Sequence, residues 1–401
     1  MREVLPDLLR WWQAGETVAV GTVTATFRSA PRPPGAAMLV GPDGTVVGSV
    51  SGGCVEGAVY ELATRVRDQL THPSDSEPGR GARLGEQVAG AVLQRYGVSD
   101  VDAFTIGLTC GGVIDVFVEA FSTTTFPEFG PLAASIQAGE PVALATVTAG
   151  RPDQVGRHLV VWPTAVSAGL GSSRLDDAVR DDARGLLAGG RTETLHYGLD
   201  GQRRGEGLSV FVASYAPAPR MLVFGAIDFA AAVARVGSFL GYRVTVCDAR
   251  QVFSTRKRFP DAEEVVVDWP HRYLATQVEA GAIDGRTVIC VLTHDPKFDV
   301  PVLAAALRLP VAYVGAMGSR QTHDDRLNRL IEVGLTEAEL GRLSSPIGLD
   351  LGARTPEETA ISIAAEIIAR RWDGVGTPLS ETSGAIHRQP IGAMEIDESA
   401  S

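Results

Sequence analysis

The stretch that decides the fold is MLVFGAIDFAAAVARVGSFLGYRVTVCDAR, residues Met221–Arg250. Its apolar pattern predicts a buried strand over Met221–Phe224, a turn at Gly225, an amphipathic helix to Leu240 and a second buried strand ending at Asp248. A strand, a helix and a parallel strand in this order form the unit that opens a dinucleotide-binding sheet. The stretch therefore predicts a Rossmann-like, doubly wound parallel sheet.

The predicted Rossmann-like domain covers residues 217–375, and its turn departs from the dinucleotide-binding pattern. Ile227 and Asp228 stand where that pattern places its second glycine and a small neighbour. Asp248 lies close to where such folds place the acid that binds ribose hydroxyls. Arg250, just beyond, is suited to a phosphate. NAD(P) binding is thus an open alternative with a defective turn. The polar tail over 376–401 is expected to be partly unordered or used in packing.

Polar residues follow two further apolar runs of this domain, at the carboxyl ends where open α/β sheets bind ligands. His294 and Asp295 follow the first run, and we expect them to act as acid and base. A purely structural His294 is the alternative. The second run leads into residues that combine backbone N–H groups with a guanidinium, an expected anion site: Gly315, Gly318, Ser319 and Arg320.

The first half of the chain contains an internal repeat. Residues 13–23 read QAGETVAVGTV and residues 137–147 read QAGEPVALATV, with eight of eleven positions identical. The correspondence continues in GAAMLVGP (35–42) against GRHLVVWP (156–163), and in VIDVFVE (113–119) against GLSVFVA (207–213). We predict an amino-terminal region over 1–216 made of two tandem small α/β units, about 5–121 and 130–215, of which the second lacks the cysteines.

Two cysteine and glycine loops distinguish the first copy. The first follows a strand-like run and precedes a helical pattern, which places it at a helix N-terminus. Free N–H groups and the helix dipole there suit an anion and lower the pKa of a thiol. The predicted cofactor-binding residues of the two loops are Ser51, Gly52, Gly53 and Cys54, then Cys110, Gly111 and Gly112. A tight turn around a packed cysteine is the alternative.

The composition of the chain limits the classes of partner that it can bind. The chain has 401 residues, a formal net charge of -12 and four cysteines. The negative charge opposes nucleic acid and anionic membranes. No signal segment or membrane-spanning run is seen, so we expect a cytoplasmic protein with reduced thiols. No cysteine spacing predicts a metal site, and Cys247 and Cys290 lie in strand patterns, which predicts core positions.

Six motifs taken together resemble those of the XdhC/CoxI family of molybdenum hydroxylase accessory proteins, in order along nearly the whole chain. They are GSVSGGCVEG (48–57), LTCGGVIDVF (108–117), VFGA with GYRVTVCDAR (223–226, 241–250), THD (293–295), YVGAMGSR (313–320) and PIGLDLGARTPEETAISIAAEI (346–367). One departure is GAID at 225–228, where the family commonly shows GAGH. That departure puts a nucleotide or redox role of this turn in doubt.

The resemblance implies a maturation factor rather than an enzyme with its own turnover. Such a factor binds molybdenum cofactor transiently, protects it while a cysteine desulfurase exchanges an oxo for a sulfido ligand, and delivers it to a xanthine-dehydrogenase-like client. Cys54, Cys110 and His294 are then the candidate reactive residues, and a homodimer is reasonable. The alternatives are an NAD(P)-binding oxidoreductase and a non-catalytic scaffold for hydroxylase assembly.

Overall fold

The computed structural model describes residues 1–27, 32–71, 90–97 and 112–383. These residues form two compact units, Met1–Pro217 and a second unit that begins at Ala218. The predicted surface loop over 71–85 and the tail over 376–401 lie largely outside the described residues, as do Cys110 and Gly111.

The amino-terminal unit contains two five-stranded sheets of the same topology. The first sheet comprises β1 (Val18–Phe27), β2 (Ala37–Val40), β3 (Val46–Gly48), β4 (Ala91–Tyr96) and β5 (Val113–Phe121). The second comprises β6 (Val142–Ala149), β7 (His158–Val161), β8 (Val166–Ala168), β9 (Glu193–Gly198) and β10 (Gly207–Tyr215). The strand orders are β3-β2-β1-β5-β4 and β8-β7-β6-β10-β9. They are the same order, because β6 to β10 correspond in turn to β1 to β5. All pairings are antiparallel, so the repeated sequence builds a repeated fold.

The described residues of this unit also form four α-helices: α1 (Leu5–Gln13), α2 (Glu56–Thr71), α3 (Phe129–Ala138) and α4 (Ser173–Gly189). One core joins α1 and α3 to residues of both sheets, including Val20 and Leu144. The outer face of each sheet is covered by its own helix, α2 over the first and α4 over the second. Apolar residues at helical spacing explain this cover, since Val59, Leu62 and Val66 of α2 are all buried.

The second unit is a six-stranded parallel sheet. Its strands are β11 (Arg220–Phe224), β12 (Arg243–Cys247), β13 (Glu264–Val266), β14 (Val288–Val291), β15 (Tyr313–Ala316) and β16 (Leu343–Ser344). Its helices are α5 (Asp228–Phe239), α6 (Pro270–Glu279), α7 (Pro296–Ala306), α8 (Arg320–Glu332), α9 (Glu337–Leu340) and α10 (Pro356–Trp372). The strand order is β13-β12-β11-β14-β15-β16. Successive strands are added on one side of β11 as far as β13, and from β14 onward they are added on its other side. This is the Rossmann order, with its ligand crevice expected at that reversal.

Helices cover both faces of this sheet, which confirms the predicted doubly wound fold class. Residues of α5 and α10 pack on one face, and those of α6, α7 and α8 pack on the other. Helix α10 begins as its sequence predicts, because Thr355 and Glu358 form a capping box and Pro356 occupies the first turn. In the described part of the chain, no helix combines the length and the apolar character needed to cross a membrane.

Candidate functional site

The loop before α2 is organised around the carboxylate of Glu56. This carboxylate accepts the amide N–H groups of Ser51 and Gly53, each at 2.8 Å, and the hydroxyl of Ser51 at 2.5 Å. The Ser51 hydroxyl in turn accepts the N–H groups of Cys54 and Val55, each at 3.0 Å. The donors at this helix N-terminus therefore already have an anion, supplied by the chain itself.

The sequence predicts free N–H groups in this loop, and the structure corrects that prediction because these groups are already hydrogen-bonded. The N–H of Gly52 is also bonded, at 2.9 Å to the hydroxyl of Ser49. Hydrogen bonds from Ser49 and Ser51 hold the pKa of Glu56 at about 2, against the opposing effect of burial. Glu56 is therefore ionised at neutral pH. A second anion at Ser51–Cys54 would have to compete with it for the same donors.

The second copy has the same arrangement in reduced form. Asp176 lies in the first turn of α4 and accepts the N–H of Leu170 at 2.7 Å. Leu175 and Val179 of α4 are buried like Val55 and Val59, and in this register Arg174 corresponds to Cys54. A built-in acid at the helix N-terminus is thus common to both copies, while the thiol belongs to the first copy.

Cys54 is half-buried beside two exposed glycines. Gly52 and Gly53 have φ angles of 77° and 121°, in the region that side chains rarely adopt. No atom lies within 4 Å of where a Cβ would stand at either glycine. The outer surface of this loop is therefore open to a close approach beside the thiol. Gly112 is buried just before β5, and its neighbours Cys110 and Gly111 lie outside the described residues.

The other described cysteines are confirmed as core residues. Cys247 ends β12 and Cys290 lies within β14, and both are buried. Burial raises the pKa of each thiol to about 12. Neither is suited to act as a thiolate at neutral pH.

The turn after β11 lies against the end of β14, at the reversal of the strand order. Gly225 has a φ of 116°, and a Cβ there would lie 2.9 Å from the backbone nitrogen of Thr293. A glycine is therefore required. This close approach defines the centre of the carboxyl edge of the sheet.

The carboxylate of Asp248 is hydrogen-bonded to other residues of the chain. It is 2% exposed and accepts the N–H of Ala226 at 2.7 Å. Its two oxygens also accept two guanidinium nitrogens of Arg250, at 2.9 and 2.7 Å. These hydrogen bonds lower the pKa of Asp248. The expected ribose-binding acid and the expected phosphate-binding arginine therefore satisfy one another.

Arg258 closes the same turn from the other side. Its guanidinium donates to the carbonyl of Ala226 at 3.1 Å and to the carboxylate of Asp228 at 2.9 Å. Asp228 is the first residue of α5, whose N-cap is Ile227. The carboxylate of Asp228 thus lies where a dinucleotide-binding turn receives the pyrophosphate, and its negative charge opposes that ligand.

Some of the remaining predicted site residues are already hydrogen-bonded within the chain, and others have exposed side chains that a ligand could reach. Asp295 caps α7 by accepting the N–H of Lys297 and pairs with the Lys297 ammonium at 2.9 Å. Ser319 caps α8 in the same way. Within the described residues, the side chains of His294 and Arg320 are exposed and have no hydrogen-bond or ion-pair partner.

Two predicted glycines have packing roles. Gly315 lies inside β15, where a Cβ would clash with the Ile347 side chain at 2.6 Å, so it is part of the sheet and not of a loop. Gly318 packs against Thr322 of α8. The expected four-residue anion site is therefore reduced to the end of β15 and the first turn of α8.

The sequence reasoning missed a buried ion pair at this edge. Asp299 of α7 and Arg326 of α8 are each 3% exposed and lie 3.1 Å apart. The same guanidinium donates to the carbonyl of Met317 at 2.7 Å, and Asp299 also accepts the hydroxyl of Thr293. This pair holds the ends of β14 and β15 in place. Over the described ranges, no three His, Cys, Asp or Glu side chains form a cluster that could hold a metal ion.

Comparison with protein-family models gives matches in both units. The model described as "XdhC and CoxI family" matches twice, at residues 11–72 and 135–198, once in each copy of the repeat. The model described as "XdhC Rossmann domain" matches residues 221–367.

Curated and solved proteins match along almost the whole chain. A probable xanthine dehydrogenase subunit of Bacillus subtilis (strain 168) is 25% identical, over 89% of this chain and 94% of that protein. The "Molybdenum cofactor insertion chaperone PaoD" of Escherichia coli (strain K12) is 26% identical, over 92% and 88%. A crystal structure described as that of a xanthine dehydrogenase from Bacillus halodurans has a TM-score of 0.61 at 23% identity, over 92% of this chain and 95% of that one, and shows the same fold.

Proposed function

The chain belongs to the XdhC and CoxI family, and on that premise we propose that it binds molybdenum cofactor and delivers it to a xanthine-dehydrogenase-like molybdenum hydroxylase. The observation that carries the proposal is the match to the E. coli relative named as a molybdenum cofactor insertion chaperone, over 92% of this chain. The match to a protein named as a probable xanthine dehydrogenase subunit supports the class of client.

The residues around Cys54 fit one end of this cofactor. When bound, the cofactor supplies a molybdenum centre held by dithiolene sulfur, and soft sulfur ligands suit a thiol neighbour. The half-buried Cys54 lies beside the open surfaces of Gly52 and Gly53, so a bulky group can approach the thiol. Cys54 is therefore the described residue that we assign to contact or shield the metal end, and the same role for Cys110, which lies outside the described residues, stays a prediction.

The phosphate end of the cofactor does not fit the Ser51–Cys54 loop, because Glu56 already takes its N–H groups. Within the second unit, His294 and Arg320 are candidates for an anion site. They follow adjacent parallel strands, β14 and β15, and their side chains have no partner among the described residues. A guanidinium and an imidazole at a sheet edge suit a phosphate. We propose that they form an anion site at this edge of the second unit, with Ser319 and Gly318 positioning the first turn of α8.

The finer part of the proposal is that a cysteine desulfurase acts while the cofactor is held. In that role the chain binds, orients and shelters the cofactor from water, and it has no turnover of its own. Delivery then requires a surface that the hydroxylase recognises. A scaffold that only joins the two enzymes would need none of the cofactor-binding residues.

A transfer assay tests this function. The cofactor-loaded chain, a cysteine desulfurase with cysteine, and an apo-hydroxylase are mixed anaerobically, and molybdenum and pterin in the client are measured against free cofactor. We expect higher loading and a sulfurated, active client with the wild type, and a loss with Cys54→Ala. The matched control is Arg174→Ala, at the corresponding position of the second copy. Unchanged client loading in the presence and absence of the chain would overturn the proposal.

A further inference from the structure

The loop that joins β12 to β13 exposes two adjacent apolar side chains. Because these strands are parallel, residues 248–263 cross from the carboxyl edge of the sheet to its amino edge. Near the start of the crossing, Val252 is 83% exposed and Phe253 is 43% exposed. Neighbouring apolar side chains that are open to water and surrounded by polar groups are a feature of interaction surfaces.

The backbone that carries these two side chains is held by the rest of the unit. The N–H of Phe253 donates to the carbonyl of Arg250 at 3.1 Å. The next residue, Ser254, is 9% exposed, and its hydroxyl donates to the carbonyl of Asp248 at 3.2 Å. Phe259 is 1% exposed and anchors the far side of the loop in the core. The chain itself therefore fixes the conformation of the loop, which reduces the entropy lost when a partner binds.

Positive charge surrounds the apolar side chains. Residues 250–258 read RQVFSTRKR, with four basic residues and no acidic one. The guanidinium groups of Arg250 and Arg258 lie 5.0 and 5.6 Å from the centre of the Phe253 ring. Cations over an aromatic ring keep that ring oriented at the surface.

Part of this charge is not balanced within the chain. Each arginine that contacts the Phe253 ring is paired with an aspartate. Arg256 and Lys257 are exposed, and in the part of the chain that the structure describes neither has a carboxylate at ion-pair distance. The whole chain has a formal net charge of -12. An acidic partner is therefore repelled by the chain as a whole and attracted at this loop, which fixes where it docks.

We propose that the loop over 250–258 is the surface on which the molybdenum hydroxylase client docks, through an acidic surface of the client that contains an apolar pocket. Docking of the client rests on the proposed function, because delivery of the cofactor requires contact between the two proteins. Val252 and Phe253 enter the pocket, and the cations around them pair with carboxylates at its rim, as in other protein interfaces. A free anion would bind the cations and leave both apolar side chains uncovered.

Calorimetry of the full chain with the apo-hydroxylase of the transfer assay tests the apolar part. Val252→Asp is expected to weaken binding at least about tenfold, because it places a carboxylate in the pocket of an acidic partner. The matched control is Val333→Asp, a valine that is 48% exposed where α8 ends, at the amino edge of the sheet. This variant should bind as the wild type does. Binding of Val252→Asp with unchanged affinity would overturn the proposal.

Charge reversal tests the acidic character of the partner. Lys257→Glu should weaken binding at least about tenfold at low salt, and the loss should shrink as sodium chloride is raised. Arg329→Glu, at an exposed arginine in the last turn of α8, is the control and should have little effect. An affinity that is the same for Lys257→Glu and the wild type at low salt would contradict an acidic partner. Competition by inorganic phosphate beyond that of chloride at equal ionic strength would assign the loop to a small anion and also overturn the proposal.

Zero-length cross-linking tests the contact without a disruptive variant. The chain has two lysines, Lys257 and Lys297. A carbodiimide joins a lysine amine to a carboxylate in direct contact, so mass spectrometry should find Lys257 linked to an aspartate or glutamate of the client. The absence of that link from a cross-linked complex would contradict docking at the loop.

Cofactor retention separates this proposal from the proposed function. Val252→Asp and Lys257→Glu should retain molybdenum cofactor as the wild type does and fail only in transfer to the client. A wild type that neither binds the apo-hydroxylase nor changes its loading would refute the proposed function. A wild type that binds and transfers, with variants that do the same, would refute the docking surface alone.

Discussion

The hydroxyl of Ser51 donates to the carboxylate of Glu56 at 2.5 Å and at the same time accepts the N–H groups of Cys54 and Val55. One carboxylate and one hydroxyl thus satisfy the helix N-terminus that the glycine loop would otherwise offer to a ligand. The N–H donors of this loop are therefore already occupied. Its open glycines and its thiol, rather than its N–H groups, are what it presents.

Glu56→Ala is expected to lower the free energy of unfolding by about 3 kcal/mol, because several donors lose their acceptor at once. Asp176→Ala is the matched control in the second copy. It should cost about 1 kcal/mol, since Asp176 accepts the N–H of Leu170 but lacks the serine network. Urea unfolding followed by circular dichroism measures both. Equal losses for the two variants would show that the network around Glu56 contributes nothing beyond a single cap.

The same carboxylate predicts a pH dependence of stability. The pKa of Glu56 is about 2 in the folded chain and 4.5 for an ordinary glutamate. Its contribution is therefore complete above about pH 4.5 and is lost as the pH falls towards 2. The difference in unfolding free energy between the wild type and Glu56→Gln should shrink across that window. A difference that is constant from neutral pH to pH 3 would contradict the lowered pKa.

Gly225→Ala is expected to destabilise the second unit by at least about 3 kcal/mol, since the new Cβ meets the backbone of Thr293 in a left-handed conformation. Gly241→Ala is the control, because Gly241 has a φ of 83° and no atom within 4 Å of its Cβ position. It should cost about 1 kcal/mol through backbone strain alone. Thermal unfolding separates the two. Similar costs would mean that the close approach at the turn is not maintained.

Calorimetry with NAD(H) and NADP(H) should show no submillimolar binding. Arg250 takes both oxygens of Asp248, and the Arg258 pair with Asp228 fills the turn. A dinucleotide would have to displace Arg250 from the buried carboxylate of Asp248 and place its pyrophosphate beside the carboxylate of Asp228. A known dehydrogenase serves as the positive control. Submillimolar affinity with turnover would favour the oxidoreductase alternative.

Local patterns in the sequence were sufficient for several helices and for the fold class. Apolar periodicity located α2 and α5, and the repeat predicted two tandem small α/β units without giving their sheet topology. The βαβ opening at Gly225 led to the doubly wound sheet. Each of these depends on neighbours along the chain, which a sequence shows directly.

The hydrogen-bond and ion-pair partners of the polar side chains could not be predicted from such local patterns. Glu56 follows Ser51 by five residues, not the three of a capping box, so its role had no sequence signature. Asp299 and Arg326 are distant in sequence and meet only because α7 and α8 pack together. Arg250 lies only two residues after Asp248, but the sequence does not show that the two side chains bond to each other. Their availability to a ligand could therefore not be predicted.

The most direct test of the account is anaerobic binding of molybdenum cofactor to the purified chain, measured as retained pterin and molybdenum after gel filtration. We predict near-stoichiometric retention by the wild type and by Arg174→Ala, and at least a tenfold loss of affinity in Cys54→Ala. No retention by the wild type, or full retention by the variant lacking both Cys54 and Cys110, would contradict it.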